Sequence, residues 1–295
     1  MKRLIIIIPV YHDTPTITEC ASLQQFAKVY DWRYDVRLVC PEHFTEENIK
    51  AYVKQLSSVT NTNLPDTYVQ YKKYNNDFFL SSADYSRLLK TNEFYMDCVE
   101  YDYMLIFQTD CWATNINRID AWMDRDFDYI GSPIFTNKNH WHNCPCCGNG
   151  GLSLRKVSSF IRYTMDRAMV DHLDTNDVYK KYEDVFFCEG VTQHMYVDMP
   201  IWRECANFAW DINTELLYKL SEGEMPDIGI HAWPKQVPFL YGKIDISKEV
   251  YNAAVKENID FIKKYYAPVL KGNSFDSELK RRVADIDTEM SRNDK

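Results

Sequence analysis

The chain begins with an uninterrupted apolar run, "LIIIIPV" from Leu4 to Val10, and this run restricts the fold more than any other feature. A strand in which every residue is apolar is expected where both of its faces are covered, as in the centre of a parallel sheet. The run is too short to cross a bilayer, breaks at Pro9 and leads to no small-residue cleavage site. We therefore interpret it as a first strand and not as a signal peptide.

Strand-like and helix-like segments then alternate along the chain. Such alternation predicts βαβ units and an α/β fold with a mostly parallel, doubly wound central sheet flanked by helices. The section from Ser247 onward predicts two helices separated by "GNSFDS". Further strands are predicted at 34–40, 66–74, 101–108 and 150–156, and helices at 14–30, 44–56, 78–99 and about 157–170.

The composition supports one folded domain in a reducing compartment. Hydrophobic residues make up 45% and aromatic residues 15% of the chain, which is enough for a sizeable core. A net charge of -9 disfavours general binding of nucleic acids. Nine cysteines, an odd number, do not resemble an extracellular disulfide framework, so we expect a cytoplasmic protein. We predict a domain at 1–245, with a helical extension at 246–295 that packs on it or trails from it.

Asp110 follows the predicted strand "YDYMLIFQ" directly, in the segment "QTDCW". Ligands of open α/β sheets bind outside the carboxyl ends of the strands, where a carboxylate can meet them. An acidic residue at this position can equally cap the helix that follows. Asp110 alone does not decide between these interpretations.

Three further segments contain candidate site residues. The glycines of "GNGGLSLRK" allow close approach of backbone amides to a ligand, or simply a tight turn into a strand, and they match no dinucleotide or ATP motif. In "KYEDVFFCE", Glu183 and Asp184 are either partners of a helix dipole or candidates for a general base. In "DIGIHAWPK", His231 is either a structural residue or a ligand.

Taken in order, these segments resemble nucleotide-sugar glycosyltransferases of the GT-A fold. More closely, they resemble a bacterial and phage family of glycosyltransferase-like domains with Q-T-D, G-N-G-G-x-S-L-R and E-D-x-F signatures. The resemblance extends from about Leu4 to Lys235. It implies a GT-A-like fold with a helical C-terminal appendage, a nucleotide-sugar donor, and a glycan or another hydroxyl-bearing acceptor.

The resemblance also implies roles for individual residues. Asp110 matches the last acid of the D-x-D motif and, with His231, would bind Mn²⁺ or Mg²⁺; Gln108 stands in place of the first acid, so one carboxylate is missing. Asp184 matches the acid that acts as base in inverting members. The expected acceptor contacts are Glu183 and Trp233. The expected donor contacts are Pro9, Val10, Tyr11, Arg87, Lys90, Gln108, Thr109, Asp110, Gly150 and Gly151.

The loop "HWHNCPCCGNG" departs from the family pattern. It contains soft ligands that a structural Zn²⁺ can use, but the usual two-plus-two arrangement is absent, which favours unliganded cysteines. The candidate zinc ligands are His140, His142, Cys144, Cys146 and Cys147.

The leading interpretation is a divalent-metal-dependent, inverting glycosyltransferase of the hexosyltransferase type. A nucleotidyltransferase on a similar fold is the nearest enzyme alternative, although no early glycine-rich phosphate loop follows the first strand. A non-catalytic protein that binds nucleotide sugars or carbohydrate is a second alternative, because the acidic motif is incomplete. A zinc-stabilised interaction module is a third. The sequence contains no transmembrane segment and predicts no particular oligomeric state.

Overall fold

The computed structural model describes residues 2–58, 69–134 and 146–270. Eleven strands occur in these ranges, and most of them are short. In chain order they are β1 (Leu4–Pro9), β2 (Asp35–Pro41), β3 (Val69–Tyr74), β4 (Tyr103–Phe107), β5 (Trp112–Ala113), β6 (Tyr129–Gly131), β7 (Pro133–Ile134), β8 (Cys146–Cys147), β9 (Leu152–Lys156), β10 (Ala209–Trp210) and β11 (Gly229–Ile230).

Six of the strands form a central sheet in the order β3-β2-β1-β4-β9-β6. The first four are parallel to one another, whereas β9 runs antiparallel to both β4 and β6. All six residues of β1 are buried, as the continuous apolar run predicts. The predicted fold class, an α/β fold with a mostly parallel central sheet flanked by helices, is confirmed.

Helices connect the strands and cover both faces of the sheet. The first helix begins at a capping box, in which the Thr16 hydroxyl accepts from the Glu19 amide and the Glu19 carboxylate accepts from the Thr16 amide. The helices are α1 (Ile17–Val29), α2 (Glu46–Ser57), α3 (Ser82–Leu88), α4 (Asn92–Met96), α5 (Ile119–Met123), α6 (Val157–Met165), α7 (Arg167–Leu173), α8 (Asp177–Lys181), α9 (Glu183–Val185), α10 (Trp202–Phe208), α11 (Thr214–Leu220), α12 (Val237–Leu240), α13 (Lys248–Glu257) and α14 (Ile259–Leu270).

Two helices that the sequence predicts as continuous are divided. The segment 78–99 forms α3 and α4, because the Thr91 hydroxyl accepts from the Phe94 amide and begins a new helix. The segment 157–170 forms α6 and α7, because Asp166 caps the Met169 amide in the same way. Short polar side chains satisfy the free amides of a new first turn, so they compete with continuation of a helix.

The core consists of one apolar cluster on each face of the sheet and a third cluster beside it. The third surrounds a small sheet in which β11 lies between β10, parallel to it, and β5, antiparallel to it. Trp210 and Trp233, both completely buried, belong to this third cluster. The small sheet matters for the site because β10 and β11 both end beside the carboxyl end of β4.

The C-terminal helices α13 and α14 pack on the third cluster through Ala254 and Ile262. A hydrogen bond of 2.6 Å from the Thr18 hydroxyl to Glu257 also ties α13 to α1. The helix predicted to follow Ser247 is interrupted at Asn258, and the "GNSFDS" segment with the second predicted helix lies outside the described residues. The division at 245/246 stays a prediction.

Candidate active site

Asp110 lies just beyond the carboxyl end of β4, where the sheet meets the start of β9. The Gln108 amide donates to the Gly151 carbonyl over 3.0 Å, and the Cys111 amide turns back to the Gln108 carbonyl over 2.9 Å. Because β9 is antiparallel to β4, the glycines that precede β9 reach the same edge as Asp110. The first two motifs of the sequence are therefore in contact.

His231 lies between two carboxylates at this edge. Its Nε2 is 3.3 Å from Asp110 Oδ1 and its Nδ1 is 3.0 Å from Asp211 Oδ1. Nε2 is also 3.1 Å from Gln108 Oε1. Asp211 directly follows β10 and His231 directly follows β11, and the two strands are parallel, so their ends adjoin.

The three groups strongly influence one another's ionisation. Burial opposes the charged imidazolium, but the carboxylates of Asp110 and Asp211 outweigh it and raise the pKa of His231 to about 10. Burial also opposes ionisation of Asp110, yet the positive charge of His231 holds the pKa of that carboxyl below its usual value. The two carboxylates thus favour the charged form of the imidazole that lies between them.

These groups fit a divalent cation. Asp110 Oδ1 is buried and accepts no hydrogen bond of good geometry, while the Asp110 side chain keeps 37% of its surface exposed. Asp110, His231 Nε2 and the Gln108 amide oxygen supply oxygen and nitrogen donors of the kind that Mn²⁺ accepts. In the described parts of the chain, no three His, Cys, Asp or Glu side chains are grouped to hold a metal ion. These described residues thus offer a partial ligand set for a cation.

Asp211 and Asn149 are site residues that the sequence reasoning missed. The Asn149 amide nitrogen donates to Asp211 Oδ2 over 3.2 Å, and the Asn149 amide oxygen accepts from the Gly151 amide over 2.9 Å. Asp211 in turn fixes His231 through Nδ1, the arrangement that orients metal-binding histidines. Asp211 ends the apolar segment "CANFAW", so the pattern that singles out Asp110 would also have found it.

Gly150 and Gly151 are required by close packing of side chains. A Cβ at Gly151 would lie 2.2 Å from His231 Nε2 and 2.7 Å from Gln108 Oε1. A Cβ at Gly150 would lie 2.0 Å from Glu183 Oε1. Gly148 has φ +130, a backbone conformation that favours glycine. The two adjacent glycines therefore bring the His231 group and the Glu183–Asp184 turn to opposite sides of one short segment.

Asp184 is in the first turn of α9, which continues into a π-helical turn at Phe186–Gly190. Its Oδ1 accepts from the Val185 amide over 2.8 Å and its Oδ2 from the Gly150 amide over 3.4 Å. Burial, followed by the negative charges of Glu183 and Asp211, raises the pKa of Asp184 to about 7. A carboxyl with this pKa can accept a proton near neutral pH.

The remaining predicted donor contacts lie in three places: at the end of β1, at Thr109 after β4, and at Arg87 and Lys90. Pro9 and Val10 are buried at the end of β1, and the Tyr11 ring packs edge-on against Tyr85 with centroids 5.5 Å apart. Burial raises the pKa of Tyr11, and the nearby Tyr85, Asp110 and Glu183 raise it further, so the ring lies near the candidate site. The Thr109 hydroxyl is buried and donates to Glu19 Oε1 over 2.7 Å.

The structure does not bring Arg87 and Lys90 to the Asp110 group. Both line a separate cavity of 450 Å³ between α3 and α7. The Lys90 ammonium uses its three donors on the Asp174 carboxylate and on the carbonyls of Tyr179 and Lys180. Lys90 is thus bound to the protein itself, which explains its burial.

The predicted acceptor contacts are also engaged elsewhere. Trp233 is completely buried and packs edge-on against Trp112, with centroids 5.1 Å apart, so it offers no face for stacking on a sugar. Glu183 is 7% exposed, and its Oε1 is 2.7 Å from Arg155 Nη2. Of the predicted catalytic, acceptor and metal residues, Asp184, Glu183, Asp110 and His231 lie around the glycine segment, residues 148–151, whereas Trp233 is buried in the third cluster.

A protein-family model matches the part of the chain that contains these residues. Residues 68–231 match the model of a family described as "Protein of unknown function (DUF5672)", which is more than half of the chain. The chain belongs to this family. The DUF5672 match contains Asp110, the glycine segment and Asp184, and it ends on His231. Among curated proteins, none matches the chain.

Several solved structures are similar to this DUF5672 chain at low identity. The galactosyltransferase LgtC, in complex with donor and acceptor sugar analogs, is 13% identical, with 85% of this chain and 99% of that chain covered and a TM-score of 0.47. Core-mannan synthase A from Aspergillus fumigatus, in a Mn/GDP form, is 11% identical, with 65% and 70% covered and a TM-score of 0.44. Mouse xyloside xylosyltransferase 1 is 11% identical, with 78% and 97% covered and a TM-score of 0.48.

Two predictions concern other parts of the DUF5672 chain. His140, His142 and Cys144 lie outside the described residues, and Cys146 and Cys147 form β8, which pairs with β7, so the zinc site stays a prediction. No helix within the described ranges is long and apolar enough to span a bilayer.

Proposed function

We propose that this protein is a glycosyltransferase that moves a sugar from a nucleotide-diphosphate sugar to an acceptor hydroxyl, with a divalent cation bound and with inversion at the anomeric carbon. The observation that carries the proposal is the convergence of Asp110, His231 and Asp184 on Gly150 and Gly151. Gly151 packs against His231, and the Gly150 amide donates to Asp184. The proposed cation-binding group, Asp110 with His231, and the proposed proton acceptor, Asp184, thus lie beside the same two glycines.

Asp110, Gln108 and Nε2 of His231 would hold Mn²⁺ or Mg²⁺. When bound, the cation would stabilise the negative charge of the departing diphosphate as a Lewis acid. His231 must give up its Nε2 proton to serve as a ligand, and Asp211, 3.0 Å from Nδ1, then keeps the ring in the tautomer that leaves Nε2 free. The exposed part of the Asp110 side chain leaves an open position for the diphosphate.

Asp184 would accept the proton of the acceptor hydroxyl. The hydroxyl oxygen attacks the anomeric carbon while the bond from that carbon to the diphosphate breaks, and the proton ends on the Asp184 carboxylate. A base is most effective when its pKa lies near the working pH, and the pKa of Asp184 is about 7. Because Asp184 is a general base and not a nucleophile in this scheme, the product has inverted configuration.

A first experiment asks which donor binds. Thermal unfolding is measured with a panel of nucleotide-diphosphate sugars, each with and without Mn²⁺. A ligand at 100 times its Kd stabilises the folded state by about 2.7 kcal/mol, so the correct donor gives a clear rise in Tm. We expect the rise to require Mn²⁺ and to be lost in Asp110→Ala. The absence of a rise with every donor would contradict the proposal.

A second experiment asks whether Asp184 transfers the proton. Asp184→Asn is expected to lower the rate of sugar transfer about 10²–10⁴-fold while donor binding persists. The matched control is Asp102→Asn, just before β4 at the opposite edge of the sheet, where Asp102 accepts from the Arg3 amide. Normal transfer by Asp184→Asn would remove Asp184 from this role. Donor binding without transfer by the wild-type protein to any acceptor would favour a non-catalytic binding protein.

A further inference from the structure

Arg155 is a completely buried arginine on β9, behind the glycine segment. Its Nη2 is 2.7 Å from Glu183 Oε1, and its remaining donors are directed to Ser153, Tyr95 and Gly150. The guanidinium lies 5.3 Å from the ring centres of Tyr129 and Phe160. Buried ion pairs are costly, and this one has almost all of its hydrogen-bonding capacity satisfied by the protein. No reacting group is needed to account for its position.

Gly150 connects this ion pair to Asp184. Its carbonyl accepts from Arg155 Nη2 over 3.3 Å, while its amide donates to Asp184 Oδ2 over 3.4 Å. A Cβ at this position would lie 2.0 Å from Glu183 Oε1, so the glycine backbone is in contact with the pair. The amide that holds Asp184 is therefore fixed by the arginine and the glutamate together.

Among the described residues, the titratable groups that face Asp184 can be named. Glu183 is its neighbour on α9, Asp211 faces it from the end of β10, and Tyr129 faces it from β6. Arg155 acts on it through Glu183, whose partner it is. The same ion pair is faced by Tyr11, Tyr85, Tyr95 and Lys90. Glu183 directly precedes Asp184 in the sequence. It also contacts Gly150, whose amide binds the Asp184 carboxyl.

We propose that Arg155 and Glu183 are a positioning pair for Asp184. The pair fixes Gly150, whose amide binds the Asp184 carboxyl. Burial and, after it, the charge of Glu183 raise the pKa of that carboxyl to about 7. The arginine of the "GNGGLSLRK" segment and the glutamate of the "KYEDVFFCE" segment thus act together on Asp184. Its effect on turnover rests on the proposed role of Asp184 as a base, but the titration of Asp184 can be measured without turnover.

The test is Glu183→Gln, which keeps the size of the side chain and removes its charge. Carboxyl titration of Asp184, followed by NMR with ¹³C-labelled aspartate and assigned with Asp184→Asn, is expected to move to lower pH by about one unit. The acidic limb of the pH profile for transfer should move with it. At a pH half a unit or more below the inflection of the wild-type profile, the variant should keep a several-fold larger fraction of its own maximal rate than the wild-type protein does. A merely structural change would not produce this difference.

The matched control is Glu204→Gln, which neutralises another glutamate paired with an arginine, Arg125, away from the site. It should leave the titration of Asp184 unchanged. If Glu183→Gln folds poorly, Arg155→Met/Glu183→Met replaces both charges by apolar side chains of similar length. A smaller shift in the same direction is then expected, because the charge of Arg155, which opposes that of Glu183, is removed with it. An unmoved titration in a folded variant overturns the pairing. If the titration of Asp184 shifts in Glu183→Gln but Asp184→Asn still transfers sugar at the normal rate, the pairing holds and only the role of Asp184 as a base is overturned.

Discussion

Asp184 holds its proton more tightly in the folded protein than in an unfolded chain. Burial, together with the charges of Glu183 and Asp211, raises the pKa of this carboxyl from 3.8 to about 7. Between these two values the folded state binds more protons than the unfolded state, so the free energy of unfolding falls as pH rises through this window. Below it both states are protonated, and the penalty disappears.

At the scale of this residue we predict that Asp184→Asn stabilises the protein at pH 8, where the wild-type carboxylate is ionised in a buried position. The gain should be on the order of 2 kcal/mol and should be much smaller at pH 4.5. Urea denaturation at both pH values measures it. Asp124→Asn, at an exposed aspartate after α5, is the control and should change little. Equal or lower stability of Asp184→Asn at pH 8 would contradict the prediction.

Some of the residues of the candidate site could be identified from the sequence and others could not. Asp110 and His231 each interrupt an apolar segment, and Asp211 carries the same signal. Arg155 carries none, because an arginine that ends a strand is ordinarily exposed. Its burial depends on Glu183, which is distant in sequence, and on a ring of aromatic side chains that only the tertiary structure assembles.

At the scale of elements, the direction of β9 decides which residues meet. Apolar patterns predict strands well in the first part of the chain, where β1, β2 and β4 coincide with the predicted segments. A continuous apolar run also indicates the centre of a parallel sheet for β1, but the pattern of β9 does not indicate that this strand runs antiparallel to β4. An antiparallel β9 begins where β4 ends, so Gly151 bonds Gln108 and packs against His231. A parallel strand would bring the glycines to the opposite edge.

The segment before β9 therefore has no room for a side chain at Gly151, and Gly151→Ala tests this steric requirement. Its Cβ would lie 2.2 Å from His231 Nε2, so the imidazole must shift from its position between Asp110 and Asp211. We expect Mn²⁺ affinity, measured by calorimetry, to fall about 10–100-fold, as for other changes that displace a ligand. Gly190→Ala is the control, since its nearest contacts are the side chains of Leu173 and Tyr179, both at 3.3 Å. Unchanged affinity in Gly151→Ala would show that His231 does not depend on this contact.

At the scale of the whole molecule, the third apolar cluster joins the site to the C-terminal helices. Trp233 follows His231 by two residues, and the same cluster contains Ala254 of α13. Helix α13 is also bonded to α1 through Glu257 and Thr18. These contacts predict that α13 unfolds together with the α/β domain and not before it.

Two neighbouring alanines of α13 test this coupling. Ala254 is completely buried, whereas Ala253 is half-buried. Ala254→Asp places an unpaired carboxylate in the cluster and should cost about 2–4 kcal/mol, with one cooperative transition at lower temperature. Ala253→Asp should cost much less. Calorimetry gives both values, and two separate transitions in Ala254→Asp would instead support an independent extension beyond residue 245.

The contact between Trp112 and Trp233 has a practical consequence. Each indole follows a proposed metal ligand by two residues, Asp110 in one case and His231 in the other, and the Trp233 amide donates to the Asp110 carbonyl over 3.2 Å. The protein thus contains an intrinsic fluorophore beside its candidate metal site. A paramagnetic ion bound there should quench the emission, so loading of the centre can be followed optically without any label.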